Sequence, residues 1–73
     1  MRVVYDPKTD TLDLIFREGK IVESDEDKPG IIMDYDENGN VMSIEVLEAS
    51  SKLSLPIGVS FEVATPSVEG LSP

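Results

Sequence analysis

Residues 31–46, IIMDYDENGNVMSIEV, decide the fold, because apolar residues recur at every second position on both sides of Asn38-Gly39. Such alternation is typical of strands with one buried face, and Asn-Gly is a strong hairpin signal. A tip at Asn38-Gly39 or a four-residue loop at 37–40 gives the same three apolar pairs: Tyr35 with Met42, Met33 with Ile44, and Ile31 with Val46. A slip of one residue would destroy this match, so we predict an antiparallel hairpin in this register.

A second hairpin is predicted near the N-terminus. Residues 2–6 and 11–17 both alternate, and the Asp6-Pro7 pair between them is what a type I turn prefers. Pairing these segments around a loop at 7–10 sets Tyr5 opposite Leu12, and Val3 opposite Leu14.

The remaining segments are less regular. Residues 21–23 could form a short edge strand, residues 24–30 are interpreted as an acidic loop ending at Pro29-Gly30, and residues 47–52 could form one helical turn. Residues 53–63 alternate again and predict a long one-sided strand. Because Pro56 lacks an N–H, this strand should lie at a sheet edge or begin after the proline.

These segments predict an all-β fold with at most one short helix, in which antiparallel β-hairpins form one curved sheet. A chain of 73 residues has room for one core. We therefore expect a single β-rich domain over residues 1–63 and a loose C-terminal tail over residues 64–73.

The amino-acid composition limits which classes of function the chain can have. The chain has 15 acidic against 6 basic residues, a net charge of −9 that disfavours nucleic acid and anionic lipid as partners. Histidine and cysteine are both absent from the sequence, which removes the common catalytic bases, thiolates and zinc ligands. We expect no catalytic residues and no cofactor. With Met1 leading directly into a strand-like segment, we expect no signal peptide and a cytoplasmic location.

One motif points to metal. Residues 34–45 match the spacing of an EF-hand calcium loop, with four candidate side-chain ligands: Asp34, Asp36, Asn38 and Glu45. An EF-hand needs helices on both sides, whereas both flanks here alternate as strands. In the predicted hairpin Glu45 lies across from Ile32, away from the turn, and exposed strand carboxylates usually serve solubility. The site is therefore an alternative to the main interpretation.

The stretch from Val4 to Ser51 resembles the bacterial and archaeal domain-of-unknown-function family 2283. The resemblance is carried by VYDPKTDTLDLIFREGKIVESDE and then by PGIIMDYDENGNVMSIEVLEASS, which together cover about two-thirds of the chain. The resemblance implies a compact β-rich domain and carries over no catalytic residue. Residues 52–73 fall outside it.

The sequence therefore favours a non-catalytic protein-binding module whose acidic surface docks on a basic protein. A small toxin is one such partner, which would make the chain antitoxin-like, by analogy from size and charge. The alternative is a metal- or small-ligand-binding domain using the 34–45 carboxylates. We also expect a homo-oligomer, since the nominally outer face carries several apolar residues: Val4, Ile15, Ile32, Val41 and Leu47.

Overall fold

The computed structural model describes residues 1–65, which form one antiparallel sheet and one short helix. In chain order the elements are β1 (Arg2–Asp6), β2 (Thr11–Ile15), β3 (Glu23–Lys28), β4 (Ile31–Tyr35), β5 (Val41–Val46) and α1 (Ala49–Lys52). The strands lie in the order β1-β2-β5-β4-β3, so both hairpins belong to a single sheet. The all-β fold expected from the alternation is confirmed. The predicted tail at residues 64–73 lies largely outside the described residues.

The N-terminal hairpin has the register that its alternation predicts. Tyr5 pairs with Leu12 and Val3 with Leu14. β2 then pairs with β5, which sets Leu12 beside Val46, and the register of β5 with β4 sets Ile31 on the other side of Val46. The inward residues of four strands therefore line up across the sheet and form one apolar face.

The core lies on this apolar face. Leu12, Val46 and Ala49 are buried at its centre. Five partly buried apolar residues pack around them: Val3, Leu14, Ile31, Ile44 and Ile57. Because only one face of the sheet is covered in this way, the core is small, and each buried side chain accounts for a large share of it.

Helix α1 confirms the predicted helical turn and is tied to the first hairpin loop through Asp10. The Asp10 carbonyl accepts a hydrogen bond from the amide of Ala49 at 2.8 Å. Its carboxylate accepts hydrogen bonds from the Ser50 hydroxyl at 2.6 Å and the Ser50 amide at 3.0 Å. This contact spans 40 positions and holds α1 against the sheet. Across residues 1–65, no helix has the length and apolarity needed to cross a bilayer.

The prediction of an acidic loop at residues 24–30 is wrong for residues 24–28. Residues 23–28 form strand β3, which pairs with β4 at the edge of the sheet, and only Pro29-Gly30 turns the chain. The proposed strand at residues 21–23 contributes only Glu23 to it. Backbone pairing with β4 does not depend on apolar side chains, and charged side chains are common on edge strands because they block further pairing.

The strand predicted at residues 53–63 does not form. Residues 53–65 contain α1's C-terminal boundary and irregular chain, and their alternating apolar residues are largely exposed. Ile57 is the exception, since it packs on the core. An alternating segment forms a strand only where a strand edge is available to pair with it. Residues 53–63 pair with neither open edge of the sheet.

The turn of the second hairpin corrects one predicted pair. Met33 faces Ile44 as expected, but a bulge sets Tyr35 opposite Val41 instead of Met42. The Asp36 carboxylate accepts hydrogen bonds from the amides of Asn38 and Asn40 at 2.8 and 2.9 Å. Only Gly39 of the Asn38-Gly39 pair has positive φ, at 80°. A type I′ turn needs positive φ at both central residues, so the Asp36-capped turn takes its place.

Candidate carboxylate site

A buried carboxylate lies at the centre of the sheet face opposite the core. Asp34, on β4, is only 2% exposed. Its neighbours in register are Ser43 on β5 and Ser24 on β3. Their hydroxyls donate hydrogen bonds to the two oxygens of Asp34 at 2.7 and 2.6 Å. Three adjacent strands thus hold Asp34 in one orientation, and the two hydroxyls offset part of the cost of burying its charge.

Two further acidic residues lie on the same face. Glu45 on β5 pairs in register with Asp13 on β2, and Asp34 lies diagonally from Glu45 on β4. A hydrogen bond between the carboxyl groups of Glu45 and Asp34 raises the pKa of Glu45 to about 7, with burial and the negative charges of Asp34 and Asp13 acting in the same direction. Glu45 is therefore the protonated partner of the pair below neutral pH.

The pKa of Asp34 shifts in the opposite direction. Burial acts to raise the pKa of Asp34, but the hydrogen bonds donated by Glu45, Ser24 and Ser43 outweigh it and lower the pKa. One proton shared between two adjacent carboxyl groups separates their titrations in this way. The pair thus holds one ionised and one protonated carboxyl group in mildly acidic solution.

Asp13 is the third acidic residue of the cluster, and the cluster leaves one of its oxygens without a hydrogen bond. Its Oδ1 is buried and has no hydrogen-bond partner among residues 1–65. Burial raises the pKa of Asp13, and the charges of Asp34 and Asp6 raise it further. A buried oxygen with a free lone pair is costly in a folded protein. A ligand that donates a hydrogen bond to this oxygen would therefore gain more binding free energy there than at the cluster oxygens that already have partners.

An open cavity of about 280 Å³ adjoins the cluster. The chain between β2 and β3 forms its opposite wall and includes Arg17 and Gly19. Gly19 has φ of 148°, and a Cβ there would lie 2.9 Å from Cε of Met42. The close approach of Gly19 lets the connection lie against β5. The cluster is therefore half covered, with one side open to small molecules.

The arrangement of these carboxyl groups allows proton sharing and contact with a cation. Asp34 and Glu45 can exchange one proton near neutral pH, and Asp13 adds a second negative charge beside them. Within residues 1–65, no three acidic, histidine or cysteine side chains are arranged to hold a metal ion. The hydroxyl neighbours, Ser24 and Ser43, donate to Asp34 and hold its carboxylate in place.

The four candidate metal ligands do not come together. Asp34 and Glu45 lie in the carboxylate cluster, whereas Asp36 and Asn38 lie in the hairpin turn, where Asp36 binds the turn amides. The interpretation of Asp34 as an exposed, solubilising carboxylate is wrong, because it is nearly fully buried.

Three residues of the cluster were not predicted from the sequence: Asp13, Ser24 and Ser43. The signal for Asp13 was its outward position in β2, which becomes informative only once β2 is known to pair with β5.

We predict that calcium leaves this domain unaffected. Adding 1 mM calcium should not change the melting temperature, because the oxygens of Asp34 and Asp36 are already engaged in hydrogen bonds at separate places. A site with a Kd of ~10 μM would instead add ~2.7 kcal/mol, or several degrees. Differential scanning fluorimetry with magnesium as the control ion measures this. A calcium-specific rise of several degrees would restore the EF-hand interpretation.

Comparison with known proteins places the chain in a family. Residues 2–50 match the model of a family described as proteins of unknown function (DUF2283), and the chain belongs to that family. The resemblance noted in the sequence is thereby confirmed. The match covers the sheet and the first residues of α1, and it includes all members of the carboxylate cluster.

One curated relative is similar over the same region. It is an uncharacterized protein of Methanocaldococcus jannaschii, 40% identical over 50 residues, a stretch that covers 68% of this chain and 42% of that protein. The chain thus spans less than half the length of this relative. No solved structure matches the chain.

Proposed function

We propose that this chain is a non-catalytic protein-binding module whose acidic edge strand docks on a basic protein. The observation that carries the proposal is strand β3. All six of its residues are exposed, and four of them are acidic: Glu23, Asp25, Glu26 and Asp27. β3 lies at the outer edge of the sheet, so these carboxylates surround a row of unpaired backbone groups.

The negative charge of β3 and of the whole chain favours a basic partner. β3 carries four carboxylates against the single Lys28, and the whole chain has a net charge of −9. A basic surface would be attracted over a distance of about one Debye length and then bound by several charge-assisted hydrogen bonds. A small basic toxin in the cytoplasm is a partner of this kind, which would make the module antitoxin-like. The small size and the negative charge of the chain support this partner.

Neutralising β3 should weaken partner binding more than neutralising other acidic residues does. The test variant carries Glu23→Gln, Asp25→Asn and Asp27→Asn, and it spares Glu26, whose carboxylate accepts a hydrogen bond from the amide of Gly30. The control carries Glu18→Gln, Glu37→Gln and Glu48→Gln, three exposed residues outside β3. Both change the net charge from −9 to −6, by removing three negative charges.

The probe is the protein captured from a lysate of the native host, purified and titrated by calorimetry. We expect at least a tenfold weaker Kd for the β3 variant, about 1.4 kcal/mol, and a much smaller change for the control. Binding by the wild type should weaken as salt rises. Equal losses for the two variants, or a partner without a basic surface, would contradict the proposal.

A second candidate function is supported by the unpaired Oδ1 of Asp13 beside the open cavity. A small cationic ligand could supply the missing donor while its charge balances Asp34 and Glu45. Such a ligand would bind more tightly as pH rises through the pKa of Glu45, because the pair then carries a second negative charge. Salt-dependent binding to β3 would not show this pH dependence.

A further inference from the structure

The C-terminal arm, defined as residues 58–63, has the sequence of a strand but no strand partner among the described residues 1–65. It begins just after Ile57, which packs on the core. Its apolar residues alternate with polar ones and are strongly exposed: Val59 at 63%, Phe61 at 81% and Val63 at 76%. Three large apolar side chains exposed at alternate positions of one segment are expected to be covered by another surface.

The sheet has two open edges, and they differ in charge. β3 carries four acidic residues and one lysine and is further distorted by a bulge, which are the usual devices against strand addition. β1 carries one Arg and one Asp, a net charge of zero, and its register with β2 is regular. Among the described strands, β1 is therefore the edge open to a further strand.

The arm matches the β1 edge in side-chain pattern. Val3 and Tyr5 lie on the apolar face of the sheet, and Tyr5 remains 37% exposed at its margin. An added strand with Val59 and Phe61 on that side would continue the apolar face by one strand. Its polar side would then lie on the face that carries Arg2, away from the carboxylates of β3; Arg2 itself is ion-paired with Glu18 at 2.8 Å.

We propose that the arm of one copy adds to the β1 edge of a second copy, which returns its own arm in the same way. The occupant is a second copy because the chain carries both halves of the contact, the arm and the edge. Reciprocal exchange about a twofold axis closes the assembly at a dimer. Main-chain hydrogen bonds supply affinity, and the alternate apolar side chains set the register.

The buried area is sufficient for a stable dimer. The exposed parts of Val59, Phe61 and Val63 amount to roughly 300–400 Å² per arm, on the scale by which one aromatic side chain buries 150–250 Å². Two arms and the two β1-edge surfaces that they cover then bury roughly 1,200–1,600 Å², within the range of specific interfaces. Charge opposes assembly, since two copies of −9 bring −18 together, so the dimer should tighten as salt screens this repulsion.

The first test compares two arm variants by sedimentation velocity at high micromolar concentration in 0.5 M salt. Phe61→Glu places a charge on the apolar side of the arm, and Ser60→Glu places the same charge on its polar side. We expect a wild-type dimer, a loss of at least about 30-fold in dimer affinity for Phe61→Glu, and a much smaller loss for Ser60→Glu. A wild-type monomer, or equal losses, would overturn the proposal.

The second test locates the contact, and the absence of native cysteine makes it unambiguous. Copies with Val4→Cys are mixed with copies with Ser60→Cys and treated with a short bismaleimide. We expect cross-linked heterodimers, and few when Asp27→Cys on β3 replaces Val4→Cys. Cross-linking at β3, or a Val4→Cys/Ser60→Cys chain that cross-links only within itself, would overturn the proposal.

This proposal and the basic-partner proposal use opposite edges of the sheet, so they fail separately. Neutralising Glu23, Asp25 and Asp27 should leave the dimer intact or tighten it, because the dimer contact excludes β3.

Discussion

Raising the pH from about 5 to about 8 should destabilise the domain by about 1–2 kcal/mol, and Glu45→Gln should remove most of this loss. The pKa of Glu45 is about 7 in the folded chain against an ordinary value of 4.5. Between these values the folded state binds more protons than the unfolded state, so stability falls as pH rises. A full conversion of the shift would give more, but Glu45 is partly exposed and solvent screens its charge.

Glutamine is the informative substitution because its amide can donate to Asp34 at every pH and never ionises. We expect Glu45→Gln to match the wild type near pH 5 and to exceed its melting temperature by roughly 5–10 °C at pH 8. The lowered pKa of Asp34 acts in more acidic solution, whereas the raised pKa of Asp13 acts in the same direction as that of Glu45. The difference between the wild type and Glu45→Gln therefore reports on Glu45, and the wild-type slope alone does not.

Urea unfolding at several pH values provides the measurement, with Glu37→Gln in the exposed hairpin turn as the control. The control should follow the wild-type pH dependence, because Glu37 lies outside the cluster. If Glu45→Gln also keeps that dependence, the shared proton between Glu45 and Asp34 is contradicted.

Leu12→Ala should have the largest effect of any single truncation and should remove a large part of the free energy of unfolding. Leu12 is 7% exposed and packs with Val46 and Ala49 at the centre of the core. Removing a buried leucine side chain costs about 2–4 kcal/mol. A domain of this size has a total unfolding free energy of only about 3–10 kcal/mol.

The matched control is Leu55→Ala, the same change at a residue that is 69% exposed. We expect it to alter the unfolding free energy by less than about 0.5 kcal/mol. Circular dichroism during urea titration at low micromolar concentration measures both. Similar losses for the two variants would mean that residues 53–57 contribute as much to stability as the sheet centre does.

Much of the fold follows from local signals in the chain. Strict alternation on each side of a turn predicted both hairpins, and the apolar match of Val3 with Leu14 and of Met33 with Ile44 predicted their registers. These signals are local because a hairpin pairs residues that are close in sequence, so the turn and the alternation together specify the partner.

Pairing without apolar side chains could not be predicted in the same way. β3 is a strand made almost wholly of charged residues, and its register comes from β4 instead of from its own pattern. The 53–63 segment shows the converse, since it has the pattern of a strand but no pairing partner among residues 1–65. Alternation reports which residues could share a face, and strand formation requires an edge as well.

The carboxylate cluster was decided by tertiary structure alone. The sequence determined that Asp34 and Glu45 would lie on the face opposite the apolar residues of their hairpin. Only the pairing of β2 with β5 and of β3 with β4 brought Asp13 and Ser24 to the same place. Burial of Asp34 and the raised pKa of Glu45 follow from that convergence, because a carboxyl group's pKa depends on neighbours that are distant in sequence.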